Sequence, residues 1–336
     1  MIYEPVMRAG ADFMMAFQGV SPALEWPMRV LTFFGEESFY MIVITLIFWC
    51  FDQRFAVRLL GLLVLSSFLT DICKLALHSP RAYWWDASVQ ALVSESSYGP
   101  PSGHSSNGIA LWGYAGYYLK RTTGRSWVLP LCIVIGLSIG ISRMYLGVHF
   151  PHDVILGWLL GGSALLGMIF LGEGFLSWYT HLTGRARVVV AMLVVFFVIG
   201  VGVALKLVLA DIADDPIWVE NALADQPGER IDPRSLKNFA NLAGVAFALA
   251  MGGSLYQKHA RFLSQGSGLQ LLGRYLLGIV GVFAIRAGLS YLFGSGDDPV
   301  ALALRFVRYF LIVFWALYLA PLLFLRLKLA RSPTPV

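Results

Sequence analysis

Ser142 and Arg143 are followed by His149 and then by Asp153, residue types that can handle phosphate. Pro151 suits the first turn of a helix, where its missing N–H costs nothing, so Asp153 falls one turn from His149. A carboxylate on one imidazole nitrogen fixes the tautomer and leaves the other nitrogen as a nucleophile. Arg143 adds a planar, permanently charged fork suited to phosphate oxygens.

A second stretch, Pro101-Ser102-Gly103-His104, opens an apolar run. Ser102 is a natural N-cap, and the amides at such a helix end, with Gly103 allowing close backbone approach, form an anion site. His104 then stands where a proton can be handed to a leaving oxygen. Lys74 and Arg81 bring two further positive charges from the end of the preceding apolar run.

These residues resemble the three-part signature of the type 2 phosphatidic acid phosphatases, the membrane branch of the superfamily that also holds acid phosphatases and vanadium haloperoxidases. The third motif of that family is met by Ser142, Arg143, His149 and Asp153, and the second by Pro101 to His104. The first is met at Lys74 and Arg81, with Ala82 where proline is usual. A four-residue pattern should arise by chance in about two such chains per thousand, so two patterns in order are hard to assign to accident.

The resemblance covers about residues 36–172 and implies a mechanism. His149 would attack phosphorus, Asp153 would orient it and His104 would protonate the departing group, while Lys74, Arg81, Ser102, Gly103 and Arg143 hold the phosphoryl oxygens. Water would then hydrolyse the phosphohistidine. Cationic side chains would take the charge-neutralising role, so no metal or other cofactor is expected.

The elements that position these groups must be membrane helices. The chain has 336 residues, of which 57% are hydrophobic and 13% charged, and its mean hydropathy is +0.69. A soluble domain carries about 25% charged residues. The fold class expected is all-α, a polytopic transmembrane bundle of about nine spans. They fall near 38–52, 55–77, 104–119, 127–145, 153–172, 187–210, 238–256, 269–293 and 301–325. Residues 1–37 read as an outer-face segment with one interfacial helix around Phe13 to Phe17, 38–175 as the catalytic core and 176–336 as a four-span extension outside the resemblance.

Charge sorts the loops. One side receives Arg54, Arg58, Lys120, Arg121, Arg125, Arg185, Arg187, Lys258, Arg261, Arg326, Lys328 and Arg331 against Asp52 and Glu173, and should be cytoplasmic. The N-terminus is then outside and the C-terminus inside. The three motifs share the outer interface, which in a bacterial inner membrane faces the periplasm. No cleaved leader is expected, because no basic n-region precedes an apolar core and cleavage site.

Other readings are weaker. The net charge of +5 sits in short clusters between apolar runs, which excludes a nucleic-acid partner. Cys50, Cys73 and Cys132 have no metal-ligand spacing and read as packing residues. Asp71, three residues before Lys74, reads as its neutralising neighbour. In the extension, Arg286, Arg305 and Arg308, with Lys206, form a candidate second basic surface for a diphosphate or lipid headgroup.

The expected activity is metal-independent hydrolysis of a lipid phosphomonoester or diphosphate, with membrane lipids as partners. A lipid phosphotransferase would use the same phosphohistidine with an alcohol acceptor. A non-catalytic transporter or scaffold would not need the intact His149, Asp153 and His104.

Overall fold

A hydrocarbon environment leaves the backbone no partner but itself, so apolar runs of this length fold as helices. The computed structural model describes residues 4–228, 231–294 and 296–333, and among them it is helical with no strand. The helices are α1 (Glu4–Gly19), α2 (Glu25–Phe33), α3 (Glu37–Cys50), α4 (Gln53–Leu77), α5 (Ala82–Trp85), α6 (Gly103–Asn107), α7 (Gly113–Thr123) and α8 (Val128–Tyr145). They continue as α9 (Pro151–His181), α10 (Gly184–Val208), α11 (Pro216–Asp225), α12 (Lys237–Leu255), α13 (Gly268–Phe293), α14 (Pro299–Phe314) and α15 (Ala320–Arg326). Single π turns join α6 to α7 and α14 to α15.

Each of the nine expected apolar runs is helical. Among the described residues, seven helices are long and apolar enough by themselves to cross a membrane. Two expected spans are not among the seven, for physical reasons. The 14 residues of α3 rise only about 21 Å, short of about 30 Å of hydrocarbon. α3 passes the same test only together with Pro22–Phe33, from which it is bent by 48°. The helix that starts at Gly103 opens with Gly-His-Ser-Ser-Asn and closes with Lys-Arg-Thr-Thr, so its apolar stretch is brief.

The described chain divides into two compact units. The first draws on Met1–Phe39, Leu65–Ile169 and Val203–Ser235, and it contains all three motifs. In it, α1 covers the expected interfacial helix; its Ala11 and Met14 are buried with Ala82, Val89 and Phe150, while Phe13 is exposed. α9 packs closely on α6: a Cβ at Gly161 would lie 2.1 Å from the Ser106 carbonyl oxygen, so only glycine fits.

The second unit draws on Tyr40–Val64, Phe170–Gly202 and Leu236–Val336. α12 and α14 pack along one another, and Trp49 donates to the Ala316 carbonyl at 2.9 Å. Asp298 caps α14 through the amides of Val300 and Ala301, with Pro299 at the first helical position. Outward-facing residues of α10 such as Leu193, Phe196 and Phe197 are exposed, as a lipid-facing surface requires.

Candidate active site

The site grows from helix ends. α8 finishes at Tyr145, two residues beyond Arg143, and the chain reverses through Leu146 to Phe150 into α9. The reversal needs Gly147, whose φ is +79°, and a Cβ there would lie 2.0 Å from the Gln90 carbonyl oxygen. Pro151 opens α9 as expected. Asp153 is then in the first turn, and its Oδ2 reaches back to accept from the Phe150 amide at 3.1 Å, the reciprocal half of a helix cap.

The same Oδ2 lies 3.2 Å from His149 Nδ1. The other ring nitrogen, Nε2, lies 3.0 Å from Arg81 Nη1. An arginine cannot accept a hydrogen bond, so Nε2 accepts, and the proton is on Nδ1, donated to Asp153. Burial, and then the positive charges of Arg81, Lys74 and Arg143, push the imidazole well below its ordinary pKa. His149 is therefore neutral at neutral pH, with its lone pair on Nε2.

Arg81 occupies the N-cap position of α5 in an extended conformation, so Ala82 is the first helical residue. Proline is favoured there but not required, and this resolves the departure from the family pattern. Arg81 is 1% exposed and donates to the carbonyls of Ser97 and Val148 and to Ser97 Oγ, as well as to His149. Lys74, also buried, donates from Nζ to the carbonyls of Tyr98 and Gly99. Ser102 caps α6 by accepting from the Ser105 amide, and its own amide donates to the Asp153 carbonyl at 2.9 Å, tying the second motif to the third. A Cβ on Gly103 would meet Thr70 Cγ2 at 3.6 Å, an ordinary van der Waals contact.

His104, in the first turn of α6, is within electrostatic range of Arg143, Glu95, Arg81 and Lys74. Asp71 is within range of Lys74, whose two hydrogen bonds run to carbonyls. Ser142 turns away and donates to the Ile139 carbonyl of its own helix. Arg286, Arg305 and Arg308 belong to the second unit, where Arg308 donates to Ser290 and lies over the Tyr309 ring. Among the described residues no group of three or more His, Cys, Asp or Glu side chains has a metal-holding arrangement.

Sequence reasoning missed several neighbours. Glu95, on the 86–102 loop, accepts from Arg143 Nη2 through Oε1 and from Arg81 Nη2 through Oε2 at 3.3 Å. Burial would raise its pKa, but the Arg81 and Arg143 charges prevail and hold it down to about 2. Thr32 of α2 accepts from Arg143 Nη1 at 2.8 Å. The 203–235 segment braces the same loop: Tyr98 donates to Asp214, Arg234 donates to Tyr98 Oη, and the Asp232 amide donates to the Ser96 carbonyl. None of these residues belongs to a spaced pattern, so no sequence signal marks them.

The geometry can be set beside known proteins. Residues 55–172 match the model of the PAP2 superfamily, and residues 240–332 match a model described as PAP2 superfamily phosphatase, transmembrane extension. The second match accounts for much of the chain that the motifs leave unexplained. Phosphatidylglycerophosphatase B of Bacillus subtilis is 33% identical over 165 residues, 46% of this chain and 76% of that protein. Glucose-6-phosphatase 3 of Bos taurus is 27% identical over 277 residues, 74% of this chain and 76% of that protein.

The crystal structure of a transmembrane PAP2 type phosphatidylglycerolphosphate phosphatase from Bacillus subtilis, 28% identical, covers 51% of this chain and 86% of its own with a TM-score of 0.43. With 33% identity across 76% of a curated phosphatase, this chain belongs to the PAP2 superfamily and is an integral, multi-pass membrane phosphoric-ester hydrolase.

Proposed function

We propose that the chain hydrolyses a lipid phosphomonoester or diphosphate at the outer membrane interface through a phosphohistidine on His149. The observation that carries this reading is the pair of His149 contacts, Nδ1 on Asp153 and Nε2 on Arg81. Nε2 attacks phosphorus as the bond to the leaving oxygen breaks, and His104 gives that oxygen a proton. Lys74, Arg81, Arg143, the Ser102 hydroxyl and the Gly103 amide hold the non-bridging oxygens as charge builds. Arg81 passes from the imidazole to a phosphoryl oxygen when substrate enters. Water, deprotonated by His104, then attacks phosphorus, the P–N bond breaks and inorganic phosphate leaves.

The lipid reading rests on the amphiphilic location and on the phosphatidylglycerophosphatase likeness. A second reading, a soluble sugar phosphate, draws on the glucose-6-phosphatase 3 likeness, which runs over 74% of the chain. In this proposal nine spans put the motifs on the outer side, periplasmic in a bacterial inner membrane. Residues 1–37 form an interfacial segment, 38–175 the catalytic core and 176–336 an extension. Its Arg286, Arg305 and Arg308 supply a second basic surface, and Asp71 tunes Lys74. Arg305 and Arg308 substitutions that leave KM unchanged would remove that surface.

The test is phosphate release by detergent-purified protein in EDTA, from lipid monophosphates, lipid diphosphates and glucose 6-phosphate, with His149→Ala in parallel. Release from lipid substrates that disappears in the variant supports the proposal. Turnover restricted to glucose 6-phosphate would replace the lipid by the sugar. Undiminished turnover in His149→Ala would rule out the phosphohistidine.

A further inference from the structure

Arg81 and Arg143 reach the site from two different helix ends, and both are almost fully buried, at 1% and 3% exposure. They share one anion. Glu95 spans them, one carboxylate oxygen on each guanidinium. Two oxygens bridging two arginine forks is also how a phosphoryl group would be gripped. Arg143 Nε, buried and without a hydrogen-bond partner among the described residues, is a donor that the carboxylate leaves unused.

The backbone of Glu95 is pinned, because its carbonyl accepts from Tyr83 Oη at 3.0 Å and its amide donates to the same oxygen at 3.2 Å. The neighbouring Ser97 carbonyl is held by Arg81 Nε at 2.6 Å, and those of Tyr98 and Gly99 are held by Lys74. The side chain is different. It is 26% exposed, so the carboxylate can rotate about its own torsions toward water without moving the loop.

Resting on the reading that Arg81 and Arg143 hold the phosphoryl oxygens, we propose that Glu95 is a resident carboxylate that substrate must displace, and that it restricts the site to terminal phosphates. A phosphomonoester carries about two negative charges and three non-bridging oxygens, enough to outcompete one carboxylate and to satisfy Arg143 Nε. A phosphodiester carries one charge and two such oxygens, no more than Glu95 already offers. Bulk membrane phospholipids are diesters at very high local concentration. Glu95 thus keeps the arginines from being occupied by the lipids around the protein.

The experiment uses the full chain in detergent, with inorganic phosphate as the dianion and dimethyl phosphate as the diester, each titrated by thermal stabilisation. Wild type should respond to phosphate and not to dimethyl phosphate over the same range. Glu95→Gln should bind phosphate about tenfold more tightly, since no charge-assisted pair has to be broken, and should respond to dimethyl phosphate as well. Glu95→Asp, whose shorter side chain cannot bridge both guanidiniums as well, should fall between. It carries the comparison if the Gln variant does not purify.

Equal or weaker phosphate binding in the variants, with no diester response, would overturn the proposal and leave Glu95 as a strut that positions the arginines. If neither wild type nor variants bind phosphate, the phosphoryl-site reading itself fails. That outcome is distinct from a failure of Glu95 alone.

Discussion

Arg81 and Arg143 in the first unit and Arg274 in the second are buried to nearly the same degree, 1%, 3% and 1% exposed. Their partners differ. Arg274 donates to the carbonyls of Trp49, Leu263, Ser264, Gln265 and Leu329, backbone acceptors that cannot leave. Arg81 donates to the Ser97 and Val148 carbonyls and also to the side chains of Ser97, His149 and Glu95, while Arg143 donates to Thr32 and Glu95 and, among the described residues, has no partner for Nε. Among the described residues the hydrogen bonds of Arg274 are all to backbone, whereas those of Arg81 and Arg143 include side chains that can rotate away. Burying a cation is costly in both cases, and in the proposed function only the second arrangement returns that cost on binding.

Substitutions at the site should have the largest effects. His149→Ala should lower kcat by about a thousandfold or more, with little change in thermal midpoint, measured as phosphate release. Arg143→Lys keeps a charge but loses the fork, and should lower kcat/KM by about a hundredfold. Arg274→Met, by contrast, should leave KM unchanged while removing about 2–4 kcal/mol of stability, because several buried carbonyls lose their donor. Equal effects of the last two on both stability and KM would erase the distinction.

Smaller effects sharpen it. Gly147→Ala puts a Cβ into the Gln90 carbonyl at a left-handed φ and should destabilise by about 2–3 kcal/mol, with activity lost in proportion to folded protein. Thr32→Val removes one acceptor from Arg143 and should raise KM about threefold to tenfold.

The pH dependence of stability has a definite sign. His149 has a folded-state pKa well below its unfolded value near 6.5, so the native state binds fewer protons than the unfolded chain. Its contribution is intact above about pH 6.5 and is lost as pH falls below that value. The slope of unfolding free energy in that window should shrink in His149→Ala, and an unchanged slope would show that other groups dominate it.

The extent to which this was legible follows from distance along the chain. His149 and Asp153 are one helical turn apart, so their pairing follows from local geometry once Pro151 starts the helix. The Ser102 cap is local in the same way. The span ends were less legible, because α3 and the helix from Gly103 carry polar or short termini that hydropathy alone smooths over. Glu95 and Thr32 were not legible at all. Each is a single residue outside any spacing, brought to Arg143 across 48 and 111 positions of chain.

Residue order alone marks the class of the molecule, a helical membrane protein, and the motif residues proposed to react, since hydrophobic runs and short motifs act within a turn or two of helix. Packing sets which partner each buried cation holds. Arg81 meets His149 across 68 residues, and Glu95 bridges two arginines from a loop with no periodic signal. Those contacts depend on how helix ends converge, which packing sets and residue spacing does not record.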